Sequence, residues 1–221
     1  MDIFISEFFN LEIMLKVAPL IFKGLVTTLL LCALLIPIGL LSGIGTMLLA
    51  TSKRRLLRWP AIVFIDFWRA FPPLVLLIFI HSGLPFAGIR LGPTGSICVA
   101  FLLNASSYYG EIYRAGVESV PRGQIEAARS TGLTAAQAFI YVTFPQAVRN
   151  VLPDLLSNTM ELVKLTSLAS IVAVPELLYS ADLARSLTYN TSPLVLAALI
   201  YLALLWPVVR LIARVEHKIA G

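Results

Sequence analysis

Polar side chains recur at helical spacing in a segment that is otherwise apolar. Asp154, Asn158, Glu161 and Lys164 stand at positions i, i+4, i+7 and i+10, which lie on one face of an α-helix, with Ser167 beside them. A carboxylate and an ammonium side by side could bind the two charged ends of a zwitterionic solute. The same groups could instead form an internal Glu161–Lys164 salt bridge that fixes helix packing. The sequence leaves both interpretations open.

A second polar stripe comes earlier in the chain. Asn104, Tyr108 and Glu111 are spaced i, i+4 and i+7, and Arg114 stands three residues beyond Glu111, close enough to neutralise it. A charged side chain at the centre of a bilayer costs about 2.5 to 3.5 kcal/mol, so such groups face protein or water rather than lipid. We expect both stripes to line a solute pathway. A neutralised pair at the membrane edge is the alternative for Glu111.

Signatures of catalysis and of nucleotide or metal binding are absent from the sequence. The glycine-rich residues 39–45 lack the Lys-Ser or Lys-Thr ending of a phosphate-binding loop. Neither His81 nor His217 has neighbours that suggest a catalytic triad. Cys32 and Cys98 stand alone in apolar runs, without the paired spacing of a redox or metal site. We expect no catalytic residue, no metal and no cofactor in this chain.

Residues 124–145, QIEAARSTGLTAAQAFIYVTFP, form the longest run that would not sit comfortably in a bilayer. Ser119 suits the N-cap of a short helix that tolerates Pro121 in its first turn. Gly132 suits the left-handed position that ends such a helix. We therefore expect a sharp turn at this glycine.

A second short helix should follow at once. Thr134 and Gln137 have the spacing of a capping box, and Pro145 marks the expected end of the helix. The small side chains of Ala127 and Ala128 would allow another protein to approach the first helix closely.

The spacing in this stretch resembles the EAA loop of ABC importer permeases. Glu126, Ala127 and Ala128 are followed after three residues by Gly132 and, nine residues later, by VTFP, which differs from the family's I-x-L-P by two apolar exchanges. Shorter matches are WRAFP at 68–72, EIYR at 111–114, VPRGQ at 120–124, FPQA at 144–147 and KLTSL at 164–168. Together, over residues 20–215, they resemble the polar amino-acid permease family (histidine/glutamine permease-like).

That resemblance implies a role for the loop at residues 119–145. In this family the loop is a coupling helix that docks into a groove on a cytosolic ATPase subunit, which binds the ATP. The coupling residues implied are Arg122, Glu126, Ala127, Ala128, Arg129 and Gly132. Glu126 would anchor the loop by polar contacts, and Gly132 would set its turn.

Composition indicates an integral membrane protein. Of the 221 residues, 58% are hydrophobic and only 13% are charged, which is too little polar surface for a soluble domain. Residues 1–23 mix charged and apolar side chains, which predicts an interfacial amphipathic segment rather than a cleaved signal.

Apolar runs of about 20 residues predict five transmembrane helices. Their approximate bounds are residues 24–50, 61–83, 93–117, 153–174 and 193–209, with the coupling loop at 119–145. Gly39 and Gly43 form a small-xxx-small pair that predicts a contact with another helix, with ordinary glycine usage as the alternative. We expect one all-α transmembrane domain over residues 1–221, a five-helix bundle like that of type I ABC importer permeases.

Local features refine the second predicted span. Pro72 and Pro73 should interrupt its helix. Asp66 and Arg69 are three residues apart, share a helix face and can pair.

Charge asymmetry orients the predicted bundle. Four cations follow the first span with no acid among them, namely Lys53, Arg54, Arg55 and Arg58. The positive-inside rule places this loop in the cytoplasm and the N-terminus outside. The coupling loop and the C-terminal cations Arg210, Arg214, His217 and Lys218 then also lie in the cytoplasm. We expect a multi-pass protein of the plasma membrane, the bacterial inner membrane.

The function expected by resemblance is that of the transmembrane subunit of an ABC transporter importing a polar amino acid. The implied partners are cytosolic ATPase subunits, a second permease copy or a related permease, and an extracytoplasmic solute-binding protein, with no nucleic acid. An ATP-independent proton-coupled carrier or channel is the alternative, with Glu111, Glu161 and Lys164 as the relay. A further alternative is an assembly subunit without a solute pathway.

Overall fold

Every regular element in the described part of the chain is helical. The computed structural model describes residues 2–220, and the side chains of residues 3–216, so His217 and Lys218 lie outside the described side chains. The helices are α1 (Asp2–Phe8), α2 (Leu11–Ala50), α3 (Arg55–Ala70), α4 (Pro73–Ile78), α5 (Pro93–Ser119), α6 (Arg122–Ser130), α7 (Ala135–Ala138), α8 (Phe144–Asn150), α9 (Leu152–Leu165), α10 (Leu177–Thr188) and α11 (Ser192–Ala220). The other helical turns are π turns at Phe79–Gly83 and Phe139–Thr143 and 3₁₀ turns at Leu84–Ala87 and Thr166–Val172.

Within the described residues, two helices are long and apolar enough to cross a membrane, over Ile3–Ala50 and Ser192–Glu216. Two bent pairs raise the number to four if each counts as one span: Arg55–Ala70 with Pro73–Ala87, bent by 101°, and Leu152–Val172 with Leu177–Thr188, bent by 47°. Helix α5 contains the predicted span 93–117, but its polar residues keep it out of this apolar set. The count of five spans therefore stays a prediction.

Residues 11–23 form the first turns of α2 rather than a separate amphipathic element. Helix α2 has 40 residues and continues without a break through the predicted span 24–50. The apolar side of this segment is held by packing, because Val17 and Ile21 are buried in one cluster with Leu177 and Ala181 of α10. Burial of that face stabilises the straight continuation of the helix.

The predicted interruption after the second span's first helix is confirmed. Phe71, the C-cap of α3, and Pro72, the N-cap of α4, both have extended backbones, and Pro73 opens α4. A proline disfavours helical geometry in the residue before it, and a proline at the first helical position loses no hydrogen bond. The Pro72–Pro73 pair thus ends one helix and starts the next.

The chain divides into two compact units. The first comprises residues 1–36, 72–101 and 160–209. Within it α2 packs tightly against α10, because a Cβ on Gly24 would lie 2.6 Å from the Glu176 carbonyl oxygen. Thr28 Oγ1 accepts a hydrogen bond from the Leu177 amide at 3.1 Å, and the Glu176 carboxylate caps α10 by accepting from two of its amides.

The second unit comprises residues 37–71, 102–159 and 210–221. Here the predicted contact of the Gly39–Gly43 face with another helix is confirmed. A Cβ on Gly39 would lie 3.1 Å from the Tyr109 ring, and a Cβ on Gly43 would overlap the Tyr109 Cβ. Thr46 Oγ1 donates to the Ser106 carbonyl at 2.9 Å, so hydrogen bonds accompany the close approach of α2 and α5.

Candidate functional site

The loop at residues 119–145 contains the sharp turn that its sequence predicts. Helix α6 ends at Ser130, and Gly132 follows with φ +90°, in the left-handed region that favours glycine. The Gly132 amide donates to the Arg129 carbonyl at 3.1 Å, which closes the end of the helix. The predicted role of Gly132 as the stop of the first helix is confirmed.

The predicted capping box is also present. The Thr134 hydroxyl accepts a hydrogen bond from the Gln137 amide at 3.3 Å, and the Gln137 side chain accepts one from the Thr134 amide at 2.9 Å. Two otherwise unpaired donors at the start of α7 are thereby satisfied. Because α6 packs against α7 and the following π turn, the loop is a small folded element of its own.

The predicted N-cap of the first helix is wrong. Ser119 is the last residue of α5, where its hydroxyl donates to the Gly116 carbonyl at 2.7 Å and accepts from Asn150 Nδ2 at 2.9 Å. Pro121 is the N-cap of α6 instead, without a side-chain hydrogen bond. The hydroxyl is engaged by α5 and α8, so it is unavailable to α6.

The second helical run does not end near Pro145. A π turn, Phe139–Thr143, follows α7, and Pro145 lies in the first turn of α8, which extends to Asn150. The Phe144 amide donates to the Phe139 carbonyl, five residues back. Proline is tolerated in a first helical turn, and the wide turn lets the helix restart there.

Most of the predicted coupling residues are accessible. Arg122, Glu126, Ala127 and Arg129 are exposed on α6. Ala128, which the resemblance also assigns to the docking surface, is buried. Ala128 therefore packs within the loop, whereas Ala127 is available to a partner.

Two exposed apolar residues of this loop were missed by the sequence analysis. Ile140 and Tyr141, in the π turn, are 57% and 69% exposed. Exposed apolar side chains in a loop between helices are candidates for contact with another protein. Phe139, Ile140 and Tyr141 are three apolar residues in succession, so their sequence does not indicate which of them face outward.

Charged groups of the second unit form a network around Glu111. Arg114 donates to both Glu111 carboxylate oxygens, at 2.8 and 2.7 Å, and to Glu118 at 2.6 Å. Arg69 approaches Glu111 at 3.7 Å and stacks its guanidinium 5.4 Å from the centre of the Tyr108 ring. The predicted Glu111–Arg114 pair is confirmed.

The predicted pairing of Asp66 with Arg69 is wrong, since the ionic partner of Arg69 is Glu111 from another helix. The exposed Asp66 instead lines a cavity of about 250 Å³ together with Glu111 and Arg114. This cavity presents both signs of charge to whatever enters it.

Asn104 lies on the same face of α5 as Glu111, but its side chain is buried. Among the described residues, its side-chain nitrogen has no hydrogen-bond partner. An unpaired buried donor costs about 1 to 3 kcal/mol, so such groups call for an explanation.

The polar stripe of α9 carries its own ion pair. Lys164 Nζ lies 2.5 Å from a Glu161 carboxylate oxygen, and both side chains are about half exposed, at 48% and 62%. Ser167 donates to the Lys164 carbonyl at 2.7 Å, and Asn158 is half-buried one turn earlier. The internal pair exists, and the exposure of both charges leaves them accessible to a solute.

A family model described as "Binding-protein-dependent transport system inner membrane component" matches residues 35–221. The Probable amino-acid ABC transporter permease protein YckA of Bacillus subtilis (strain 168) is 37% identical over 198 residues, 89% of this chain and 87% of that protein. The Probable glutamine ABC transporter permease protein GlnM of the same organism is 33% identical over 199 residues, 90% and 92% of the two chains.

Solved structures give a matching picture. A chain of a structure described as "Crystal structure of an amino acid ABC transporter with histidines" superposes with a TM-score of 0.85 at 34% identity, covering 93% of this chain and 96% of that one. A chain of the MetNI methionine ABC transporter in an inward-facing conformation reaches a TM-score of 0.74 at 18% identity, over 90% and 96% of the two chains. The second likeness concerns the fold alone.

Proposed function

The chain belongs to the family of binding-protein-dependent transport system inner membrane components, and on that premise we propose that it is the permease subunit of an ABC importer for a polar amino acid. It is a transport subunit and carries no catalytic role of its own. The observation that carries the proposal is the likeness, along nearly the whole chain, to permeases and to a solved transporter described as acting on amino acids.

The energy for transport comes from a partner ATPase. Helix α6, the Gly132 turn and α7 form the coupling element, and the exposed Ala127, Ile140 and Tyr141 enter a groove on the ATPase. Glu126 and the neighbouring cations make polar contacts at the rim. Burial of exposed apolar side chains under a polar rim is how a docking surface of this size gains affinity.

Coupling requires that the partner bind two states of the permease differently. A ligand can shift an equilibrium only by its difference in affinity for the two conformations. ATP draws the two ATPase subunits together, the docked loops move with them, and the spans rotate between inward-facing and outward-facing states. The tight internal hydrogen bonds of the loop favour its movement as one rigid piece.

The proposed solute is zwitterionic, and the two stripes supply complementary groups for it. Glu161 and Lys164 on α9 offer one anion and one cation, and both are accessible. In the other unit, Asp66, Glu111 and Arg114 offer the same combination around a cavity. Neither set selects acidic over basic side chains, so an external binding protein sets much of the specificity.

The full transporter contains two permeases, either two copies of this chain or this chain and a relative. A solute-binding protein delivers the amino acid on the outer side, where the N-terminus lies. The chain crosses the inner membrane five times, and the loop at 119–145 and the C-terminus face the cytoplasm. A membrane-impermeant thiol reagent applied to Ser130→Cys in intact cells tests this orientation, because labelling from outside would contradict it.

The decisive experiment is reconstitution of the chain with its ATPase in proteoliposomes, with the binding protein supplied on the outer side. Uptake of polar amino acids should require ATP and should be insensitive to a proton ionophore. Uptake that follows the proton gradient without ATP would instead support a proton-coupled carrier. Comparing a set of labelled amino acids identifies the solute.

A further inference from the structure

The turn between α2 and α3 concentrates positive charge that no ion pair among the described side chains neutralises. Lys53, Arg54, Arg55 and Arg58 are all exposed, and no Asp or Glu occurs between Glu12 and Asp66. Among the described residues, none of the four belongs to an ion pair of the second unit, whose pairs involve Arg69 and Arg114. Four exposed cations without a described acidic partner favour an anionic surface as their neighbour.

An apolar cavity of about 460 Å³ is lined by residues of the same segment, where Leu56 and Leu57 lie between Arg55 and Arg58 in the sequence. Its lining includes Leu49 at the end of α2 and Leu56, Leu57, Pro60 and Phe64 on the first turns of α3. Ala61 also lines it and belongs to a buried cluster with Ala50 and Ile65, which packs α2 against α3. An opening of this kind is large enough to accept part of a hydrocarbon chain.

The first turns of α3 combine the features of a helix at a membrane surface. Leu56 is 86% exposed and Trp59 is 62% exposed, on a helix segment that also carries Arg55 and Arg58. Exposed leucine and tryptophan beside arginine are typical of segments at the boundary between head groups and acyl chains. The surroundings of the cavity are therefore those of a lipid head-group layer.

We propose that this cavity is a binding site for an anionic phospholipid, with an acyl chain against Leu49, Leu57 and Phe64 and the phosphate among the cations of residues 53–58. Charge complementarity selects this occupant over a zwitterionic lipid. Apolar lining selects it over a soluble anion. The inference requires only that the chain lies in a bilayer, so it stands apart from the solute and from the ATPase.

The site can be tested with lipids that quench tryptophan fluorescence. The chain has three tryptophans, so Trp68→Phe with Trp206→Phe leaves the exposed Trp59, in the same turns of α3 as Leu56 and Leu57, as the reporter of lipid around this segment. The full chain with these two changes is reconstituted in phosphatidylcholine vesicles containing brominated phosphatidylglycerol or brominated phosphatidylcholine. We expect brominated phosphatidylglycerol to quench Trp59 at lower mole fraction than brominated phosphatidylcholine.

Three double variants distinguish lipid binding in the cavity from general attraction between surface cations and anionic lipid. Arg55→Gln with Arg58→Gln should lower the preference for phosphatidylglycerol about five-fold per side chain, since each basic residue near a membrane surface contributes about that factor. The matched pair Arg210→Gln with Arg214→Gln, exposed on α11, should leave the preference unchanged. Leu56→Gln with Leu57→Gln keeps all four cations and should still weaken the preference.

Equal quenching by the two lipids would overturn the proposal. So would a preference that survives Leu56→Gln with Leu57→Gln, because charge alone would then explain it. Absence of quenching by either lipid would also overturn it, because the first turns of α3 would then lie away from the lipid.

Discussion

Single residues decide how the loop at 119–145 turns and how α5 carries charge. Gly132 and the Thr134–Gln137 capping box could be predicted from the sequence because they are local: a glycine for a left-handed turn and a reciprocal bond across three residues. The partner of Arg69 could not be predicted in this way. Asp66 is near in sequence, but Glu111 from a different helix lies at pairing distance, and only the packing of α3 and α5 brings it there.

Replacing Gly132 with aspartate should uncouple ATP hydrolysis from uptake while membrane insertion stays intact. The φ of +90° strains any L side chain, although no atom lies within 4 Å of the added Cβ. A strain of about 1 to 2 kcal/mol is enough to change the population of the turn by a factor of about 5 to 30. The measurement is the number of solute molecules imported per ATP hydrolysed by the reconstituted transporter.

The matched control for that variant is Gly88→Asp. Gly88 has φ +82° and equally open surroundings, but it lies in a loop that is not predicted to meet the ATPase. The two substitutions therefore cause similar backbone strain and differ only in the loop that carries them. If both variants, or neither, reduce the coupling ratio, the docking role of the Gly132 turn is wrong.

Glu111→Gln should destabilise the protein more than Glu118→Gln. Glu111 accepts two hydrogen bonds from Arg114 and lies near Arg69, whereas Glu118 accepts one from the same arginine. Both sites are partly exposed, so the expected difference is only about 1 kcal/mol, or about 2 to 4 °C in Tm for a chain of this size. Thermal unfolding in detergent measures it, and a larger loss in Glu118→Gln would contradict the assigned network.

At the scale of helices, boundaries were harder to predict than contacts. The Gly39–Gly43 pair indicated a helix contact, and the structure provides it against Tyr109. Pro145 suggested a helix end, yet α8 begins around it, because a π turn supplies the wide ring that a proline needs behind it. Ser119 suggested a cap for α6, but its hydroxyl instead accepts a hydrogen bond from Asn150 of α8. Such competition depends on tertiary contacts that no local pattern records.

Gly43→Ala should loosen the packing of α2 against α5. The added methyl group would overlap the Tyr109 Cβ and approach the Gly110 amide nitrogen to 3.1 Å. Overpacking a close contact typically costs about 1 to 3 kcal/mol. Gly45→Ala is the matched control two residues along the same helix, where nothing lies within 4 Å of the new Cβ. Thermal unfolding of the two variants in one detergent compares them, and equal stability would refute the close contact.

For the whole transporter, a charge exchange tests whether the Glu161–Lys164 pair binds the solute or only stabilises α9. Exchange of the two charges, Glu161→Lys with Lys164→Glu, keeps an i, i+3 ion pair on an exposed surface, so stability should change by less than about 0.5 kcal/mol. A bound zwitterion would meet reversed charges. We expect KM for uptake to rise at least about ten-fold, which corresponds to 1.4 kcal/mol of lost binding.

The chain offers an equivalent pair as a control. Asp182 and Arg185 on α10 have the same spacing and similar exposure, with the ion pair at 2.8 Å, but they are not among the predicted pathway residues. Exchanging them, Asp182→Arg with Arg185→Asp, should leave KM within about two-fold. Kinetics of ATP-dependent uptake measure both. An unchanged KM in the α9 exchange would reduce that pair to a helix-stabilising role.

The π turn at Phe139–Thr143 sets the rotation of α7 about the helix axis relative to α8. Such a turn holds one residue more than a regular helical turn, and each helical residue advances the azimuth by about 100°. Deleting a single residue there would therefore rotate α6 and α7 by about 100° relative to α8. The hydrogen bonds within α6 and α7 would stay intact. The direction in which the loop presents Tyr141 is thus encoded by residue count, and length changes at this place are far less tolerable than changes of side chain.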